Sequence, residues 1–174
     1  MDVLEAIRSR RSTRSFEPRG LEPEIINAIE TAITSSPSGS NAQESHFVIV
    51  QDPAQIRRIK RFAPGLSGDP AAVVVLCSNR RDALERGGAD TAEVLRFVNM
   101  GIAAAYVLLT TFSFGLGNCP VRSFHRGAIK EIVGLPGDIE PELLITMGYP
   151  AEPPRLKTSM PMTEVISHDH FGHR

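Results

Sequence analysis

The stretch from Phe97 to Val121, "FVNMGIAAAYVLLTTFSFGLGNCPV", contains no charged residue. On length alone such a run can cross a bilayer. Asn99, Thr110, Thr111, Ser113 and Asn118, with several glycines, dilute its hydrophobicity and argue against a membrane span. A helix that is apolar on all sides can instead lie in the middle of a core or in an oligomer interface. That reading fixes the architecture: a long central helix over about 91–114, stopped by Gly115 and Gly117, around which the rest of the chain packs.

On its N-terminal side, Asp2 can cap a first helix whose apolar side is Val3, Leu4 and Ile7. Pro23 opens a second helix, with Ile25, Ile29 and Ile33 recurring every four residues. "HFVIV" (46–50) and the valine-rich "AAVVVLCS" (71–78) read as buried strands. Between them "DPAQIRRIKRF" (52–62) reads as a short helix with Ile56, Ile59 and Phe62 inward. The polar segment 79–90, with glycines at 87 and 88, reads as a mobile loop. Beyond the central helix, "HRGAIKEIVGLP" (125–136) reads as a helix closed by Gly134, and "ELLITMGYP" (142–150) as a third strand. The order ααβαβααβ predicts an α+β or mixed α/β sandwich, one domain over 1–174, with helices flanking one sheet. No GxGxxG or Walker-type glycine loop is present.

Bulk composition narrows the function. Hydrophobic residues make up 41% and charged residues 22%, as in an ordinary globular protein. The net charge of −1 gives no broad positive field for a nucleic acid. Charged residues begin at Asp2 and recur through Arg14, so no signal peptide is expected. Cys77 and Cys119 lie in separate segments without metal-ligand spacing, which fits a reducing cytoplasm.

Against that acidic background "RSRRSTRSF" (8–16) packs four arginines into nine positions. Arg10, Ser12 and Arg14 are two apart where a helix gives way to extended chain, so they share a face. Guanidinium forks and a hydroxyl on one face suit a phosphate, whose oxygens arginine binds in pairs. A solvated helix end, favoured by the helix dipole, is the alternative for this segment alone. "PSGSNAQ" (37–43) offers hydroxyls and carboxamides that donate and accept toward the edge of a heterocycle, or forms an ordinary Asx turn. In "FGLGNCPV" (114–121) two glycines allow backbone to approach a flat ligand, or cap a helix before a turn. Arg155 and Lys157 add anion donors. The C-terminal "HDHFGHR" could ligate a divalent metal but reads as a polar tail, and no metal is expected. Cys119 lacks a histidine–carboxylate pair to activate it and reads as packing.

Taken in order, "RRSTRSF", "PSGSNAQ", "DPAQIRRI", "GLGNC", "EIVGLP" and "LLITMGYPAEPPR" resemble the nitroreductase family of flavin enzymes across nearly the whole chain. The resemblance implies an α+β fold that dimerises around the long central helices, with FMN at the interface. It implies that Arg10 and Ser12 hold the FMN phosphate, Arg11 helps through its backbone, and Arg14 meets the pyrimidine end of the ring. Pro37, Ser38, Gly39 and Asn41 would reach the partner's flavin, Gly117 and Asn118 would lie along one ring edge, and Lys157 would sit near the phosphate. No catalytic side chain is implied. The implied activity is transfer of hydride from NAD(P)H through FMN to a nitroaromatic, quinone or related acceptor. A flavin-binding protein of little turnover, or a specialised dehydrogenase or dehalogenase, are the alternatives. The chain departs from the family with Glu44–Ser45 for the usual Pro-Trp, Pro120 for an aromatic, Ala105–Tyr106 for Gln-Asn, and Ser159 for a basic residue.

Overall fold

Local signals open most of the elements. The Asp2 carboxylate accepts from the Leu4 N–H at 2.8 Å and starts α1 (Val3–Ser9). Pro23 stands at the start of α2 (Pro23–Thr34), and Asp52 accepts from the Ala54 and Gln55 N–H groups to cap α3 (Pro53–Arg61). Such caps satisfy first-turn donors that have no intrahelical partner. The computed structural model describes residues 1–154 and 158–173.

Four strands form one antiparallel sheet in the order β1-β2-β4-β3: β1 (Ser45–Val50), β2 (Ala72–Asn79), β3 (Gly117–Val121) and β4 (Ile139–Gly148). β2 is buried at every position because both of its faces are covered. Val73, Val75 and Cys77 point to one side, where Ile56 and Ile59 of α3 and Ile129 of α6 (Arg126–Val133) pack. Val74 and Leu76 point to the other, against Ile25 and Ile29 of α2 and Met100, Ala104 and Val107 of α5 (Arg96–Ser113). The period-two alternation of a strand thus serves two cores at once. The fold is the expected α+β sandwich.

Several expectations change. The segment 79–90 is α4 (Arg80–Asp90), capped by the Asn79 side chain on the Arg81 and Asp82 N–H groups. The two glycines are a junction within helical chain: a Cβ on Gly87 would lie 2.4 Å from Thr91 Oγ1, and Gly88 takes φ +78°. A short π-helical stretch, Thr91–Leu95, then leads into α5. The sheet has a fourth strand, β3, where glycine and proline hide a strand signal; Pro120 is tolerated because β3 lies at the edge. Val3, Leu4 and Ile7 are exposed, and Ala6 is the buried residue of α1. Phe62, expected inward, caps α3 and is exposed. The helical run Arg80–Ser113 is long and apolar enough for a bilayer by composition, but α5 buries Asn99, Met100, Ala103, Ala104, Val107 and Thr111 against its own fold. α7 (Met162–Val165) is one exposed turn in the tail.

Candidate functional site

The arginine segment is built from helix end and sheet edge together. Arg11 folds its guanidinium back onto the Arg8 and Arg10 carbonyls, at 2.7 and 2.8 Å, and so closes α1. The chain then runs extended along β3: Ser12 bridges Asn118, and the Thr13 N–H donates to the Asn118 carbonyl at 2.8 Å. Thr13 lies over Gly117, where a Cβ would come within 2.5 Å of its side chain. Gly117 is therefore a packing glycine that lets residues 12–13 approach β3. Farther on, the Glu17 N–H donates to Tyr149 O and the Ala151 N–H to Ser15 O, at 2.8 and 3.1 Å. Gly68, at φ +69°, passes so close that a Cβ would sit 2.5 Å from the Arg14 carbonyl. The strand is clamped on every side.

That clamp shapes a cavity of about 280 Å³ lined by Ser12, Thr13, Arg14, Ser15, Ser67 and Glu152. Arg10 is partly buried, touching Asn118 Oδ1 at 3.4 Å, and Arg14 is exposed. Neither forms an ion pair among the described residues. Guanidiniums outside ion pairs and beside hydroxyls have the chemistry to bind an oxyanion. Asn118 is wholly buried and donates to Leu108 O and Thr111 Oγ1, both at 2.8 Å, so its side chain ties β3 to the end of α5.

Pro37, Ser38 and Asn41 line a separate cavity of about 520 Å³, with Gln43, Ser45 and Asn99 among its other walls. Within one chain these residues do not meet the arginine group. The Gly39 N–H donates to Asn99 Oδ1 at 2.9 Å, and Asn99 donates to Glu44 at 3.0 Å. Glu44 is fully buried, and its second oxygen has no partner among the described residues. Ser40, Asn41 and Gln43 all take left-handed φ, between 49° and 54°. Lys157 lies outside the described residues.

Sequence reasoning missed Ser67, Glu152 and the Glu44–Asn99 pair. "GLSGDP" (65–70) did carry a turn signal, but nothing local said that the turn would face Arg14. Burial, with Glu142 and Glu140 nearby, pushes the Cys77 thiol up to about 12, which leaves it unreactive. Cys119 is buried in the same core. No group of three or more metal-ligating side chains occurs among the described residues.

An antiparallel sheet between two helical layers, with an extended basic segment bridged to its edge strand, defines an α+β protein. The family pattern matches residues 7–67 and 64–149, and the chain belongs to the Nitroreductase family, a family of oxidoreductases. It is 28% identical, over an alignment 195 positions long, to the NADH dehydrogenase of Thermus thermophilus, covering 95% of both chains. It is 26% identical to the FMN reductase [NAD(P)H] of Bacillus subtilis, covering 96% of this chain and 73% of that one. The crystal structure of a nitroreductase family protein from Clostridium difficile 630 superposes with a TM-score of 0.86 at 23% identity, over 98% of this chain and all of that one.

Proposed function

We propose that this oxidoreductase binds FMN, takes hydride from NAD(P)H, and passes electrons to a small acceptor such as a nitroaromatic or a quinone. The donor leaves before the acceptor enters. The observation that carries the reading is the clamped strand at residues 12–17, which brings Ser12 and Arg14 to one cavity. These groups fit a flavin nucleotide: cations and hydroxyls suit the phosphate, and Arg14 favours negative charge at the pyrimidine end. Arg11 has spent its guanidinium on helix carbonyls, which leaves its backbone for the ligand. Gly117 and Asn118 are buried beneath the strand and act from behind the ring edge: Gly117 seats Thr13, and Asn118 holds Arg10. When bound, the flavin supplies the two-electron chemistry. The chain's part is to hold and orient it; no side chain is assigned to proton transfer, which solvent can serve.

The separation of Pro37, Ser38, Gly39 and Asn41 from the arginine group supports a homodimer in which that loop meets the partner's flavin. α5 exposes Val94's neighbours Phe97 and Val98, then Gly101, Ala105 and Tyr106, and α1 exposes Val3, Leu4 and Ile7. An apolar face of that extent favours a second copy. The cytoplasm is the proposed compartment, in keeping with two free cysteines. The test is the absorption spectrum of the purified protein, followed by NAD(P)H oxidation with menadione or nitrofurazone. A yellow protein with about one FMN per chain and steady turnover is expected. A colourless protein that gains no flavin absorbance on incubation with FMN would sink the reading.

A further inference from the structure

The far end of β3 carries a second basic group. Glu142 in β4 is 4% exposed, and both its oxygens are saturated. Oε1 accepts from Ser78 at 3.2 Å and Arg96 at 3.4 Å, while Oε2 accepts from Arg126 and faces Arg122 at 3.5 Å. One carboxylate therefore meets three guanidiniums. The surrounding acids are already engaged: Glu140 with Lys130, Asp138 with Arg81, Glu93 with Arg80. Two positive charges remain uncompensated in a chain whose net charge is −1. Arg96 is mostly covered, with its Nε donating to Ala92 O and its Nη1 shared between Ser78 and Glu142. Arg122 and Arg126 are 57% and 42% exposed, so their remaining N–H groups face solvent.

The buried carboxylate fixes one side of each fork, which lowers the ordering cost of binding an oxyanion on the other side. His125 stands between them in sequence. Its Nδ1 accepts from the Ala128 N–H at 3.1 Å, so the proton of the neutral ring is on Nε2 and supplies a further donor. The Ser123 carbonyl accepts from the Gly65 N–H at 3.1 Å, which joins the segment carrying this group to the loop whose Ser67 lines the arginine cavity.

We propose that Arg122, His125 and Arg126 form an oxyanion subsite for the phosphate or carboxylate of a small molecule that exchanges electrons at the neighbouring cavity. Its assignment to a redox substrate rests on the functional reading above; the anion site itself does not. The basic face of α3, with Arg57 and Arg58, forms no ion pair with a buried carboxylate among the described residues and serves as the comparison.

Calorimetric titration with pyrophosphate, at fixed salt and with excess FMN present, reads the site without turnover. Arg122→Gln combined with Arg126→Gln should weaken binding about tenfold or more, as loss of charge-assisted bonds does. Arg57→Gln with Arg58→Gln should change it by less than about twofold, as screened charges do. Arg122→Gln alone leaves the shorter Arg126–Glu142 pair intact, so a weaker loss in that folded variant supports the site even if the double variant unfolds. Equal affinity in wild type and Arg122→Gln, or equal losses in the α3 pair, overturns it. Steady-state kinetics of Arg122→Gln then identify the molecule. A raised KM for 4-nitrobenzoate but not 4-nitrobenzamide assigns the subsite to an anionic acceptor, and a raised KM for NAD(P)H assigns it to the donor's phosphates. Unchanged KM values for all of them overturn the substrate assignment. Absence of any turnover in wild type would count against the functional reading and leave the titration to decide the anion site.

Discussion

Arg10 and Arg57 each carry one positive charge, but their surroundings differ. Arg10 is half-buried beside Ser12 and Asn118, while Arg57 lies on the exposed face of α3. If Arg10 holds the FMN phosphate, Arg10→Ala should weaken flavin binding about ten- to a hundredfold, the worth of a charge-assisted bond. Arg57→Ala should be close to neutral, and flavin titration of the two apo variants at fixed salt makes the comparison. Equal, small losses would return the cluster to a solvated helix end. Gly117 makes a different demand, because a Cβ there would overlap Thr13 at 2.5 Å. Gly117→Ala should cost about 1–3 kcal/mol through overpacking. Removing the Thr13 side chain should relieve it, so urea denaturation of Gly117→Ala, Thr13→Gly and the double variant should show coupling above about 0.5 kcal/mol. Strict additivity would mean that the strand simply moves away from β3.

At the scale of elements, the start of α2 is tied to the chain after β4 by one cluster. The Tyr149 hydroxyl donates to Glu22 at 2.5 Å, Arg19 pairs with the same carboxylate at 2.5 Å, and the guanidinium stacks 3.8 Å over the Tyr149 ring. The Tyr149 hydroxyl, with Arg19, lowers Glu22 from its ordinary 4.5 to about 2. A carboxyl depressed by folding contributes stability that is fully present above its unfolded value and is lost as pH falls through the folded one. Wild type should therefore exceed Glu22→Gln in urea midpoint by a constant margin near neutrality. The margin should shrink below about pH 4.5 and vanish near 2. A margin that persists unchanged at pH 2 would assign the effect to packing of the side chain. The elements also show where local signals run out. Asn79 caps α4 as clearly as Asp52 caps α3, but α4 buries only Ala83. Without an apolar stripe, the segment read as a loop.

The whole molecule poses the question of what covers α5. Gly101 sits mid-helix on its exposed face, and nothing in the chain lies within 4 Å of the Cβ it lacks. In a monomer, Gly101→Leu would be harmless and would gain about 1 kcal/mol of helix propensity. In a homodimer that crosses its α5 helices there, the added side chain would force the subunits apart. Wild type should sediment at about twice 19.0 kDa at micromolar concentration, and Gly101→Leu should shift toward the single-chain mass with loss of flavin. A wild-type monomer that holds FMN would refute both the dimer and the shared site.

The sequence by itself determined the helices with caps and apolar periods, the strands β1, β2 and β4, and the run of arginines at residues 8–14. Each is a local property, written in neighbours one to four residues apart. Tertiary structure alone decided that "GNCPV" is a strand, because glycine and proline carry no strand preference and its paired residues in β4 lie 23 to 31 positions farther on. It alone decided that Gly117 accommodates Thr13 and that Ser67 and Glu152 share a cavity with Arg14. It also gathered Arg96, Arg122 and Arg126 around Glu142. Those contacts join segments remote in sequence, and only closing the sheet brings their charges and volumes together, at a loop-closure cost that no local pattern records.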